Sequence, residues 1–522
     1  MNLDVKKLPD DPSHLKTIVV EKQKKILLLE EHIRLLKNEL FGRRSEKHLP
    51  MEDDPQRGLF EDPDDEQNLE PAGEPAAIDV PGHKRRKAGR KPLPADLPRV
   101  EVIHDLDEAE KQCGCGLQRS CIGQEVSEKL DIIPATIRVI RHIRYKYACK
   151  ECEGVDSNQP AVKIAPAPKQ LLPKSMATAG LVAHIAVAKF EDALPLYRQE
   201  KQFARLGIDL PRATMASWLI KTAGHLLPLV EICNREIRSG PLINIDETTI
   251  QVLDEPGRSN TSKSYMWLFR GGDPDRPVLI YQYHPSRSGK IPLNYLNGYQ
   301  GYIQTDAYKG YDALGRQKGV VMVGCWAHAR RKFAEVVKAK GNVKKKGLAE
   351  EALDKIGRLY AIEKQARRQG LDTVGIYELR QQESKPILDD LKAWLDEKSI
   401  KTPPKGLLGK AINYALGQWQ RLVRYIDDGR LRPDNNIAEN AIRPFVLGRK
   451  NWLFSGHPRG AEATAILYGL VETAKANGLK PYPYLRYLFQ QLPFAESESD
   501  YRRLLPMYVD PSLLDPPIET LQ

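Results

Sequence analysis

Ile26, Leu29, Ile33, Leu36 and Leu40 recur at alternating spacings of three and four, a heptad seam with Ile at a and Leu at d. Val19 extends the seam, while Lys22 falls on a d position. A helix packed within its own domain would give the same pattern; we read the seam as an oligomerisation helix over residues 1–48. Farther on the period changes. PLINIDETTIQVL (241–253), SYMWLFRGG (264–272) and PVLIYQYH (277–284) are short β-branched and aromatic runs that predict three strands in succession. A helix-compatible stretch leads to GYIQTDAYKGY (301–311), a fourth strand with Asp306 at its end. VVMVGCWAHARRKFAEVV (320–337) predicts a fifth strand running into a helix. Residues 166–236 and about 338–430 are helical in pattern. Within the first of these, RLGIDLPRATMASWLIK predicts a helix, a Gly turn and a second helix opened by Pro211 and Arg212. A DNA-binding helix-turn-helix and an ordinary pair of packed helices both fit it.

Composition changes the picture in three places. At 522 residues the chain exceeds one core, and its net charge of +11 favours a polyanionic partner. Residues 51–80 carry eleven acidic side chains and one basic one, and are followed by HKRRKAGRKPLP (83–94). We read 49–98 as a linker that buries too little to fold, with Lys84, Arg85, Arg86, Lys87, Arg90 and Lys91 as an arm for DNA phosphates. Pairing with the acidic segment is the other use of that charge. No apolar run approaches the ~18 residues of a membrane span, so a cytoplasmic, nucleoid-associated chain is expected. In that compartment thiols stay reduced, and the seven cysteines point to metal rather than disulfides. Cys113 and Cys115 precede Cys149 and Cys152 by 34 residues, and the segment between alternates like strands. Over 99–165 this predicts one tetrahedral Zn2+ held between hairpin turns. The first pair is tighter than usual, and Cys121 is a rival ligand.

The acidic residues carry the chemistry. Three antiparallel strands, a helix, then two strands each followed by a helix is the order of a ribonuclease H-like α/β fold, a mixed five-stranded sheet with flanking helices. In that architecture the first and fourth strands are neighbours, so Asp246 and Asp306, 60 residues apart, come together. Two ionised carboxylates in a dry site repel, and magnesium or manganese between them relieves this. A third acid then completes a site for two ions. RPDNNIAENAIRPFVLGRKNWLF (432–454) supplies it: Asp434, Asn435 and Asn436 read as helix caps and Glu439 falls in the first turns. Arg443 shares its face, and Arg449 and Lys450 stand ready for a DNA backbone. Glu247, alternate to Asp246 on its strand, is expected to face away and be dispensable.

INIDETTIQVL, YIQTDAYKGY, GCWAHARRKF and DNNIAENAIRPFVLGRKNWLFSG together resemble a transposase of the insertion-sequence-66 family, a DDE transposase of the TnpC type. The resemblance runs from LFGRRSEK near the start to ANGLKPYPYLRYLF. It implies that the DDE carboxylates are Asp246, Asp306 and Glu439, and that Cys325 and His328 match a Cys-x2-His element of such domains. The basic residue many DDE enzymes carry seven positions after the glutamate is Val446 here, so Arg443 or Lys450 takes its part. The 133 positions between Asp306 and Glu439 imply a helical insertion, about 338–430, within a catalytic domain over 237–495. Residues 496–522 are left as a tail.

The function so implied is cleavage at the ends of an insertion sequence and transfer of the freed 3′-hydroxyl into target DNA. It implies a homo-oligomer, with accessory proteins of the same element as further partners. The competing readings are a structure-selective nuclease using the same carboxylates and a non-catalytic zinc-containing DNA-binding protein.

Overall fold

The computed structural model describes residues 137–148, 162–340 and 346–514, together with scattered positions between 11 and 29. The chain divides into two compact units, Asp64–Ala167 and Met1–Pro63 with Pro168–Gln522. In the first, Lys146–Ala148 (β1) pairs antiparallel with Val162–Ile164 (β2). Residues 137–145, expected as strand, form none. Their apolar positions are exposed: Val139 is 89 % exposed, so no buried face selects a register for them. Cys113, Cys115, Cys121, Cys149, Cys152 and the basic arm 83–94 lie outside the described residues.

In the second unit four helices come first: Ala179–Phe190 (α1), Leu196–Arg205 (α2), Arg212–His225 (α3) and Leu227–Ser239 (α4). Gly207, at φ +76°, makes the turn after α2 that a side chain would resist. Glu200 Oε1 accepts the N–H of Arg212 at 2.9 Å and so caps α3 from the preceding helix. Arg212 itself is exposed.

Leu242–Val252 (β3), Lys263–Asp273 (β4) and Arg276–His284 (β5) form an antiparallel meander. After Lys290–Tyr295 (α5), Gly301–Gln304 (β6) and Val320–Val323 (β7) add in parallel. The order is β5-β4-β3-β6-β7, which puts the first acid-bearing strand beside the second. This is a mixed sheet, buried on both faces as β-branched and aromatic runs in β3 and β4 require.

Trp326–Lys340 (α6) leads into Leu348–Gln369 (α7), Thr373–Leu379 (α8), Lys385–Lys401 (α9) and Leu407–Leu422 (α10). These helices have a core of their own, around Trp326, Phe333, Ile356, Leu391 and Ile412. Asn436–Trp452 (α11) returns to the sheet. Phe454–Ser455 (β8) then pairs with the end of β3, a strand too short to leave a sequence pattern. Pro458–Ala476 (α12), Pro481–Gln491 (α13) and Glu498–Arg503 (α14) finish the main core with α1–α4 and the sheet.

Candidate active site

Asp246 and Asp306 owe their proximity to register. The parallel pairing of β3 with β6 ends at Asn244 opposite Gln304, and each aspartate stands two residues beyond its partner of that pair. Neighbouring strands lie about 4.8 Å apart, so the two backbones deliver their carboxylates together where the β3–β6 pairing ends.

Under that point lies a ladder of buried amides. Asn244 Nδ2 donates to Gln304 Oε1 at 3.0 Å and to Asn435 Oδ1 at 2.9 Å. Asn435 Nδ2 donates to the Ile245 carbonyl at 3.0 Å, and Gln304 Nε2 to the carbonyls of Gly324 and Arg432 at 3.1 and 2.8 Å. The ladder ties β3, β6 and the start of α11 together directly below the acids. Breaking such a buried bond costs about 1–3 kcal/mol per group left unpaired. Asn435 thus holds the N-cap position, but its side chain makes no cap bond. A planar amide that both donates and accepts suits a three-way junction better than a helix end. Asp434 does cap, accepting the Asn436 N–H at 3.2 Å.

The segment before α11 is held from the insertion. Arg380, 2 % exposed, pairs with both Glu363 oxygens and donates to the carbonyls of Tyr425, Asp428 and Leu431. At its far end α11 is fastened again. Arg449 Nη1 donates to Thr248 Oγ1 and Thr249 Oγ1 at 3.0 and 2.9 Å. The guanidinium expected to grip DNA is thus committed to β3. Arg443 and Lys450 are exposed on the same helix, and Val446 is 2 % exposed.

Glu439 stands in the first turn of α11, 3 % exposed. Burial raises its pKa to about 8; Arg331 works against that rise, Asp434 and Asp306 with it. Asp246 is pushed well above the ordinary carboxylate range by burial, then by Glu247, Glu439 and Asp306. Asp306 is raised by burial, against its bond from the Tyr308 N–H (2.9 Å) and the charge of Arg287. Asp246 Oδ2 and Glu439 Oε1 are sealed from solvent without a hydrogen-bond partner. Buried, orphaned carboxylate oxygens fit a hard divalent cation, which takes oxygen ligands and reverses the cost of ionising them.

Cys325 and His328 flank the same glutamate. Cys325 Sγ accepts the Asn435 N–H at 3.3 Å, and His328 Nδ1 lies 3.6 Å from Glu439 Oε1. Ligand atoms of the three lie within 4.8 Å of one another. Burial holds the thiol protonated and, with Arg331 and Lys332, lowers His328 to about 4, so the imidazole is neutral.

Glu247 is no idle neighbour of Asp246. Its carboxylate is 6 % exposed, accepts from Arg287 Nε at 2.7 Å and takes the Tyr311 hydroxyl on the other oxygen. Alternation only separates it from Asp246; the far side of a central strand is interior, and a carboxylate there needs partners. Arg287 and Tyr311 carried no signal in the sequence, since they reach Glu247 from 40 and 64 residues away.

Linkage gives a test. In metal-free protein the folded chain keeps a Glu439 proton that the unfolded chain releases, so stability is lost as pH rises toward about 8. His328 contributes oppositely, but only below its ordinary value of about 6.5. Chelator-treated protein should melt at falling temperature between about pH 6.5 and 8; Glu439→Gln should lessen the slope, Asp246 keeping part of it, and added magnesium should flatten it. A flat wild-type profile would contradict the buried, protonated glutamate.

Comparison with known proteins defines the class. Residues 174–463 match the model described as Transposase IS66 family, and 110–153 the zinc-finger binding domain of transposase IS66. Residues 28–102 match Transposase C of IS166 homeodomain, and 469–507 the IS66 C-terminal element. The chain belongs to the IS66 transposase family. It is 35 % identical over 514 residues to the uncharacterized protein y4jD of Sinorhizobium fredii, covering 94 % of this chain and 95 % of that one. The uncharacterized protein y4qI of the same organism is 30 % identical, over 96 % and 92 %. These matches support a transposase of an insertion sequence, with DNA as partner and a zinc ion. Among the described residues no helix is long and apolar enough to cross a membrane.

Proposed function

We propose that the chain is a DDE transposase with a ribonuclease H-like catalytic domain, and that Asp246, Asp306 and Glu439 are its catalytic carboxylates. The observation that carries this is the convergence of three buried acids from β3, β6 and α11 above one amide ladder. The three would hold two magnesium or manganese ions; when bound, such ions ease charge on the attacking and departing oxygens of a phosphodiester. The protein's own part is to hold the acids in place. Asn244, Gln304 and Asn435 fix their spacing, Arg380 and Arg449 fix the helix that carries Glu439, and neutral His328 leaves that glutamate's charge to the metal.

The purified chain, given magnesium and a duplex bearing the element's terminal inverted repeats, should nick the repeat ends and join the freed 3′-hydroxyl to a second DNA. Cleavage without joining would instead favour a structure-selective nuclease. Binding without either would leave a non-catalytic DNA-binding protein.

Cys113, Cys115, Cys149 and Cys152 are proposed as the zinc ligands. The arm Lys84–Lys91, Arg212, Arg443 and Lys450 are proposed to meet DNA phosphates at the nucleoid. Self-association through the N-terminal seam is supported by exposure: Val19, Ile26 and Leu29 are helical and 62, 48 and 50 % exposed in the single chain. Deleting residues 1–45 should lower the mass seen by light scattering to that of the monomer. An unchanged mass would place the oligomer contact elsewhere.

A further inference from the structure

Arg287 follows β5 and stands beside the acids without being one of the cations the sequence pointed to. Its Nε donates to Glu247 Oε1 at 2.7 Å and its Nη2 pairs with the same oxygen. Its guanidinium carbon lies 3.9 Å from the centroid of the Tyr308 ring. Tyr308 is locked in turn: its hydroxyl donates to the Arg287 carbonyl at 2.7 Å, and its N–H to Asp306 Oδ1 at 2.9 Å. Tyr311 holds the second oxygen of Glu247. One edge and one face of the guanidinium are therefore fixed. Nη1 has no protein partner among the described residues, and the side chain is 38 % exposed.

A guanidinium that only neutralised Glu247 would need neither the stacked ring nor an open edge toward solvent. A planar donor fork held in one orientation, near enough for its charge to act on Asp306, matches the non-bridging oxygens of a phosphodiester. Of the cations on α11, Arg449 is tied to β3 through Nη1, while Arg443 and Lys450 are exposed.

We propose that Arg287 holds a DNA phosphate at the catalytic site, with Glu247 and Tyr308 as its positioning residues. This rests on the reading above that the site acts on DNA.

The test is affinity against salt for the full chain and a short duplex of arbitrary sequence. Calcium replaces magnesium so that the carboxylates are neutralised and binding is read by itself. Arg287→Ala should weaken binding about tenfold and reduce the log–log salt slope by roughly 0.9, the loss of one phosphate contact. Arg287→Lys keeps the charge and should keep the slope. Without fork and stacking, it should cleave repeat-end DNA about tenfold more slowly at saturating DNA. Glu247→Gln should likewise keep the slope and lower the cleavage rate rather than the affinity. A folded Arg287→Ala protein with wild-type slope and affinity would overturn the proposal, leaving the Glu247 pair a structural one. Should Arg287→Ala fail to fold, Arg287→Lys decides: wild-type cleavage would overturn it. Asp246→Asn separates this from failure of the catalytic reading, because it should abolish cleavage whatever the Arg287 variants do to the slope.

Discussion

Asp246→Asn, Asp306→Asn and Glu439→Gln should each lower DNA strand cleavage by about a thousandfold or more, with folding and DNA binding kept. A thousandfold is about 4 kcal/mol of transition-state stabilisation, the order expected when one ligand charge of a metal site is removed. The substitutions conserve volume, and the site favours them structurally. Burial raises all three groups, Glu439 to about 8 and Asp246 well above the ordinary carboxylate range, so at those two a neutral amide replaces a group that the metal-free fold already prefers neutral. The variants should therefore melt no lower than wild type in chelator and lose the stabilisation that magnesium gives wild type. Single-turnover cleavage and melting with and without magnesium read both halves. Wild-type cleavage in any one variant would remove that residue from the site. Glu247→Gln does not serve as the mild control its alternation promised, because its carboxylate is clasped by Arg287 and Tyr311.

Replacing Cys149 and Cys152 together with Ser should abolish zinc and unfold the segment around them. Residues 110–153 match a zinc-finger domain, and structural zinc in such small domains contributes about 10–16 kcal/mol of apparent binding free energy, which is also their folding free energy. Elemental analysis should fall from one zinc per chain to none, DNA affinity should drop, and protease should cut within 110–153. The unit over 168–522 has its own core and should melt as before. Zinc retained in the double variant would exclude these two thiols. Zinc lost in Cys121→Ser but not in Cys113→Ser would move one ligand while keeping the metal.

Local pattern carried a good deal of this protein. The strand runs of 241–284 and the short strands ending at Gln304, just before Asp306, and at Val323 were legible because a half- or fully buried strand must alternate or run apolar, whatever it later pairs with. Glu439 was legible as a first-turn residue because Asp434 and the Asn pair stop any earlier helix. The adjacency of β3 and β6 was expected by analogy with the ribonuclease H-like order of strands and helices. What pattern could not carry were contacts between distant segments. Asn435 looks like a cap in one dimension; only the docking of α11 on β3 makes it the joint of an amide ladder with Asn244 and Gln304. Arg449 looks in the sequence like a cation for DNA, and only the fold shows that Thr248 and Thr249, two hundred residues away, take its Nη1. Arg380, anonymous in a charged helix, becomes the buried clasp of the segment that leads to Glu439. The division has one physical cause. Periodicity and capping depend on neighbours within a few residues, and the chain itself determines them. The protonation, aim and partner of a buried polar group depend on which remote surfaces exclude its water, and only the tertiary structure decides that.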